Sequence, residues 1–122
     1  ENLEDIQKVR KQHWEAYQTQ LVNWAAANEV QLPILPNYAT NNGHMFFIKC
    51  KNIAQRTELI NKLKAKNTHP VFHYISLHSS PDYLEKHDGR VLQNTDNFTD
   101  TLLRLPLFYE LDVQTVINQI LE

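Results

Sequence analysis

Apolar residues recur every three or four positions over the first quarter of the chain, and this spacing predicts a long amphipathic helix over about residues 2–28. The apolar positions are Leu3, Ile6, Val9, Trp14, Tyr17, Leu21, Trp24 and Ala25. Pro33 and Pro36 follow, so the pattern cannot continue and residues 30–42 are predicted to be a connector. The two indoles of this stripe either pack on the chain's own sheet or contact something outside the chain.

Three short runs of aromatic, branched and other apolar side chains predict β-strands. The first spans residues 44–50 and follows the turn-prone Asn-Asn-Gly sequence, the second spans residues 71–75 after Pro70, and the third spans residues 102–105 before Pro106. Prolines and turn residues at their boundaries keep each run short, which is typical of strands in a small sheet.

Helical spacing returns after the first strand and again at the end of the chain. Asn52 or Thr57 is the predicted N-cap of the middle helix, Asn67 its left-handed C-cap, and Asp112 the N-cap of the last helix. The polar segment 82–97 shows no clear period and is predicted to be a loop with at most one helical turn.

The resulting order is α-β-α-β-loop-β-α, which predicts an α+β fold with an about three-stranded, mainly antiparallel sheet covered by helices. A chain of 122 residues with 42% hydrophobic residues is the size of one domain with its own core, so residues 1–122 are predicted to be a single domain.

Charge and composition exclude several classes of partner. The net charge of −2 and the 21% of charged residues disfavour nucleic acid, and no apolar run is long enough to cross a membrane. The single Cys50 forms no internal disulfide, so a cytoplasmic location is expected. The chain begins at Glu1 and its one methionine is Met45, so we expect a piece of a larger protein.

Four of the six histidines lie close together in the sequence, which raises the question of a metal site. They are His69, His73, His78 and His87. His69 and His73 are separated by Pro70 and lie along a predicted strand, so they lack the one-turn helical spacing of zinc-binding histidine pairs. We therefore expect no bound metal, with a small metal-binding protein as the minor alternative.

Four blocks carry a resemblance that covers nearly the whole chain. In order they are Arg10 followed by Trp14-x-x-Tyr17-x-x-x-Leu21, the run NGHMFFI (residues 42–48), the run VFHYISLHSSP (residues 71–81) and the run LLRLPLFY (residues 102–109). Together they resemble the C-terminal part of the DegT/DnrJ/StrS group of pyridoxal-phosphate-dependent sugar-nucleotide aminotransferases.

The resemblance implies the small C-terminal domain of a fold-type I aminotransferase. The parent enzyme would transfer an amino group from glutamate to the C4 keto carbon of a dTDP-4-keto-6-deoxyhexose, for lipopolysaccharide or common-antigen sugars. The resemblance places pyridoxal phosphate (PLP) and its lysine in an N-terminal large domain outside this chain. The chain alone is thus expected to hold no cofactor and no catalytic residue and to be inactive, and the parent is expected to be a homodimer.

The same resemblance selects the residues expected to contact the nucleotide-sugar substrate. They are His73, Tyr74 and His78 in the third block and, as a further candidate, His44 in the second. Imidazole and phenol groups suit a sugar because each offers a hydrogen bond and a flat apolar surface. The alternative function is a free-standing interaction module of the same fold that binds a partner through the helix carrying Trp14 and Trp24.

Overall fold

Five α-helices, two short 3-10 helices and three strands make up the computed structural model, which describes residues 2–72 and 74–122. The elements in chain order are α1 (Leu3–Gln20), α2 (Val22–Ala27), β1 (Phe46–Lys49), α3 (Ile53–Ala65), β2 (Val71–Phe72), the 3-10 helices Leu77–Ser79 and Leu84–Lys86, α4 (Gln93–Thr101), β3 (Leu102–Leu105) and α5 (Val113–Leu121). The sheet is antiparallel with strand order β1-β3-β2. The predicted α+β class and the small antiparallel sheet are confirmed.

Buried and partly exposed residues alternate along β3, the central strand, and this alternation separates the two faces of the sheet. Leu103 and Leu105 of β3 are buried, as are Phe46 and Ile48 of β1, which lie opposite Leu105 and Leu103. Since neighbouring residues of a strand point to opposite faces, Arg104 belongs to the other face. The core therefore lies on one side of the sheet, and Arg104 is part of the opposite surface.

Helix α1 covers the core face with the aromatic stripe predicted from the sequence. Trp14 packs edge-on against Phe46 with 5.4 Å between ring centroids, and the Tyr17 ring lies 5.0 Å from that of Phe46. Trp24 is half-buried against the same core. The stripe thus packs on the chain's own sheet, which removes Trp14 as a surface for the alternative interaction module.

The predicted single helix over about 2–28 is wrong in one respect, because the structure has two consecutive helices. Leu21 separates α1 from α2 with φ −89° and ψ −6°, while its amide still donates to the Tyr17 carbonyl. Leu21 is fully buried. The Leu21 side chain therefore continues the apolar stripe across the break, so the spacing of apolar residues does not reveal that the helix is interrupted.

The helix boundaries follow the predicted capping residues. The Asn52 side chain accepts a hydrogen bond from the Gln55 amide at the start of α3, and Asp112 does the same for Thr115 at the start of α5. Asn67 has φ +61°, the left-handed conformation expected after the end of α3. These three predictions are confirmed, and Asn52 rather than Thr57 is the N-cap.

Two strand predictions are too long. The first strand occupies only Phe46–Lys49, and the second ends at Phe72. Phe72 pairs with Leu103, and β3 begins at Leu102 directly after α4. Tyr74 and Ile75 therefore have no strand residues opposite them, and they leave the sheet instead of extending it.

The segment predicted to be a loop contains the start of helix α4. Over Gln93–Thr101 the only large apolar side chain is Phe98, so no hydrophobic period marks this helix. A contact with α3 stabilises it, because Arg56 donates a hydrogen bond from its guanidinium group to the Thr99 carbonyl. Tertiary contact therefore outweighs the weak local pattern.

None of the helices in the described ranges combines the length and apolar character that a membrane crossing requires.

Candidate functional site

Two open clefts meet at the point where the chain leaves strand β2. One, of about 350 Å³, is lined by Tyr74, Ile75, Ser76, Asn94, Thr95, Phe98, Thr99 and Leu102. The other, of about 640 Å³, is lined by Val71, Phe72, Tyr74, Ile75 and Arg104. Tyr74 and Ile75 belong to both, so the clefts form one continuous surface that we call the Tyr74 groove.

The Tyr74 groove exposes aromatic and aliphatic side chains next to one another. Tyr74 is 77% exposed, Phe72 56% and Ile75 59%. Phe72 is the last residue of the edge strand β2, and Tyr74 and Ile75 follow the end of that strand, so none of the three packs in the core. Exposed apolar surface of this extent is typical of a binding site for a ligand or another protein segment.

Cationic groups border the groove. Arg104 lines its larger cleft, the Arg56 Cζ atom lies 5.7 Å from the Phe72 ring centroid, and the Lys49 Nζ atom lies 5.5 Å from that of Phe98. Neither cleft is lined by an aspartate or glutamate among the described residues. The groove therefore offers apolar surface together with positive charge, a combination suited to a ligand with rings and anionic groups.

His78 lies in a neighbouring cavity of about 430 Å³, which shares Thr95 with the Tyr74 groove. The His78 Nε2 atom is 2.7 Å from the Asp96 Oδ1 atom, and the side chain is only 13% exposed. The ring of His87 lies 5.2 Å away and bonds to the Arg90 carbonyl. Asp96 thus fixes the His78 ring on helix α4, beside the groove but outside its lining.

His44 lies apart from the other candidates. It precedes β1 at the end of the sheet where Phe46 pairs with Leu105, whereas Tyr74 follows Phe72, which pairs with Leu103. The His44 carbonyl accepts a hydrogen bond of 2.6 Å from Arg10. The chain alone therefore places Tyr74 and His78 in neighbouring cavities that share Thr95, and it leaves His44 at the opposite end of the sheet.

The fourth candidate, His73, lies outside the described residues. Within residues 2–72 and 74–122, no three histidine, cysteine, aspartate or glutamate side chains stand close enough to hold a metal ion. The absence of a metal stays a prediction.

Two features of the site were missed from the sequence. Arg104 lies within a run used only to predict a strand, although its place between Leu103 and Leu105 signals the face opposite the core. Phe98 lies in a helix that the sequence pattern does not reveal, so its part in the groove follows only from the fold.

The sequence profile of the DegT/DnrJ/EryC1/StrS aminotransferase family matches residues 1–121. The chain belongs to this family. The match extends over all four blocks that carry the resemblance and over the groove.

Several solved structures, an aminotransferase among them, share the fold. The aminotransferase TlmJ from Streptoalloteichus hindustanus superposes with a TM-score of 0.83 at 22% identity over 98% of this chain and 32% of its own. DesV from S. venezuelae gives 0.84 at 22% over the same shares. The ntda protein from Bacillus subtilis, with bound cofactor PMP, gives 0.79 at 24% over 95% of this chain and 28% of its own. The chain thus spans about a third of their length.

Four lysines of this chain make contacts that do not fit a covalent PLP site. Lys51 and Lys66 form ion pairs with carboxylates, the Lys62 Nζ atom donates to the Ile120 carbonyl, and Lys49 lies over the Phe98 ring. No lysine lines the Tyr74 groove among the described residues. The described residues of the groove therefore offer no amine for a covalent bond to PLP.

Proposed function

We propose that this chain is the C-terminal small domain of a PLP-dependent sugar-nucleotide aminotransferase, with the Tyr74 groove as its contribution to the substrate site. The family match over residues 1–121 is the observation that carries this proposal. Within the family we propose a dTDP-4-amino-4,6-dideoxygalactose transaminase, because the blocks at 71–81 and 102–109 resemble those of such enzymes. The proposed acceptor is thus a dTDP-4-keto-6-deoxyhexose and the donor glutamate, for lipopolysaccharide or common-antigen sugars.

The cofactor would supply the electron sink for moving an amino group between donor and acceptor. That chemistry also needs a lysine amine and an acid beside the pyridine nitrogen, and the lysines described above are engaged elsewhere. We propose that residues outside this chain hold PLP, as the bound PMP of the Bacillus subtilis structure illustrates for a relative. The chain alone would then be inactive.

The groove suits a nucleotide sugar for reasons of chemistry. Tyr74 offers a phenol for hydrogen bonding and a flat ring for stacking, and Ile75 and Phe98 extend the apolar surface for a sugar or base. The positive charge of Arg104 complements a diphosphate or a carboxylate. His78, held by Asp96, would reach the same ligand only from the edge of the groove, and His73 and His44 remain predicted contacts.

Turnover by the natural protein tests this proposal. The protein is purified from its source cells with PLP, and formation of an amino sugar nucleotide from dTDP-4-keto-6-deoxyglucose and glutamate is followed by chromatography. Tyr74→Ala should raise KM for the sugar nucleotide about tenfold, the effect of losing a hydrogen bond and a ring contact. Tyr38→Ala is the matched control, since Tyr38 is 92% exposed and lines neither cleft.

Two outcomes would contradict the proposal. Absence of any amino sugar product, with the protein loaded with PLP, would refute the activity. Equal KM values for the two tyrosine variants would refute the role of the groove. A natural product of about the 14.4 kDa of this chain would instead favour the interaction module.

A further inference from the structure

We infer that Arg104 is the anion-binding residue of the Tyr74 groove and holds a carboxylate or phosphate group of the bound ligand. The inference deepens the proposed function and rests on it for the choice of ligand. Its basis is the position and bonding of one guanidinium group.

The Arg104 Nε atom is buried and has no hydrogen-bond partner among residues 2–72 and 74–122. None of the ion pairs within the described ranges includes this residue. A buried N–H group without a partner costs free energy and is rare in folded proteins, so each case calls for a missing partner such as a water, an ion or a ligand. The guanidinium of Arg104 thus retains unused donor capacity.

Two other arginines have a buried Nε atom without a partner among the described residues, but they differ from Arg104 in the hydrogen bonds of their guanidinium groups. The Nε atoms of Arg10 and Arg56 also lack a partner in the described part of the chain, but their guanidinium groups already donate to the carbonyls of His44 and Thr99. Arg104 differs because it lines an open cleft of about 640 Å³ among Val71, Phe72, Tyr74 and Ile75. Its donor capacity therefore stands beside space for a ligand.

The surroundings select an anion with an organic body. Apolar cleft walls exclude water and strengthen a charged hydrogen bond, and a guanidinium group matches the planar geometry of carboxylate and phosphate oxygens. The absence of an acidic lining residue among those described leaves the charge for the ligand. Both proposed substrates qualify, since glutamate carries carboxylates and the nucleotide sugar carries a diphosphate.

The Arg104 side-chain Nε–H signal in the NMR spectrum of the 15N-labelled chain is a direct reporter. L-glutamate, thymidine diphosphate and inorganic phosphate are titrated at constant ionic strength, with sodium chloride as the non-specific reference. We expect a saturable shift of the Arg104 signal with at least one probe. Saturation by glutamate alone would assign a carboxylate, and saturation by thymidine diphosphate and phosphate would assign a phosphate.

Matched variants isolate the guanidinium group. Arg104→Gln should lower the affinity for the responding probe at least about tenfold, the effect of losing a charge-assisted hydrogen bond. Arg104→Lys should lower this affinity less. Arg90→Gln should leave affinity unchanged, because Arg90 is exposed and paired with Asp88. Should Arg104→Gln fail to fold, the wild-type titration and the lysine variant still decide.

No saturable response to any probe, or equal affinity in Arg104→Gln and wild type, would overturn the inference. Amino transfer by the natural protein is a separate readout. Amino transfer without a saturable shift of the Arg104 signal would refute only the inference. A saturable shift without amino transfer would refute only the proposed function.

Discussion

Tyr17→Phe removes one buried hydroxyl and leaves the surrounding ring packing in place. The Tyr17 hydroxyl donates to the Pro106 carbonyl at 2.9 Å, immediately after strand β3, and Tyr17 is fully buried. The ring remains against Phe46 in the variant. The loss is therefore one hydrogen bond together with an acceptor left unsatisfied, which costs about 1–2 kcal/mol.

Thermal unfolding measures this cost. For a chain of 122 residues, 1 kcal/mol at the midpoint corresponds to about 4 °C, so Tm should fall by about 4–8 °C. Tyr38→Phe is the control, because the Tyr38 ring is exposed to solvent, and its Tm should match the wild type. Equal Tm values for the Tyr17 variant and the control would refute the buried hydrogen bond.

The pH dependence offers a second readout of the same group. Burial raises the pKa of Tyr17 above its ordinary value, so the phenol keeps its proton in the folded state, while an unfolded tyrosine ionises near pH 10. The contribution of the buried phenol to the free energy of unfolding is therefore complete below about pH 10 and is lost as pH rises further. Tyr17→Phe lacks this loss, so its deficit relative to wild type should shrink at high pH. A deficit that stays constant would contradict the burial of the phenol.

Three further predictions concern folding. Burial raises the pKa of the Cys50 thiol to about 11, so wild-type stability should fall between about pH 9 and 11. Cys50→Ala should remove this part of the pH dependence. Identical pH dependence of the urea unfolding free energy in the two proteins would contradict the prediction. Asn52→Ala removes the N-cap of α3 and should lower the free energy of urea unfolding by about 1 kcal/mol. Asn61→Ala, at an exposed position inside the same helix, should leave it unchanged. Equal losses in the two variants would refute the role of the cap. Phe46→Ala empties a fully buried position and should cost about 3–5 kcal/mol by the same method, and a loss below 1 kcal/mol would argue against this core.

The sequence predicted those parts of the fold that rest on local patterns. Helix α3, its Asn52 cap and the left-handed Asn67 depend on neighbouring residues, and strand β3 lies between a helix and Pro106. Helix α4 escaped prediction because its stability depends on α3, through the hydrogen bond from Arg56. The early end of β2 likewise depends on where β3 begins, which a local pattern cannot specify.

The candidate site was predictable only in part for the same reason. The resemblance selected Tyr74 and His78, which line neighbouring cavities, and also His44, which lies at the other end of the sheet. Arg104 attracts attention only once the cleft and its unpaired Nε atom are known. A groove assembled from residues distant in sequence requires the structure.

Transfer of a 15N label tests the central claim most directly. The natural protein, with PLP bound, is supplied with 15N-amino-labelled glutamate and dTDP-4-keto-6-deoxyglucose, and the sugar nucleotide is analysed by mass spectrometry. The account predicts that the label appears in the sugar of the product, and less of it in the Tyr74→Ala variant at low substrate concentration. Consumption of glutamate without label in any sugar nucleotide, or no consumption at all, would contradict the account.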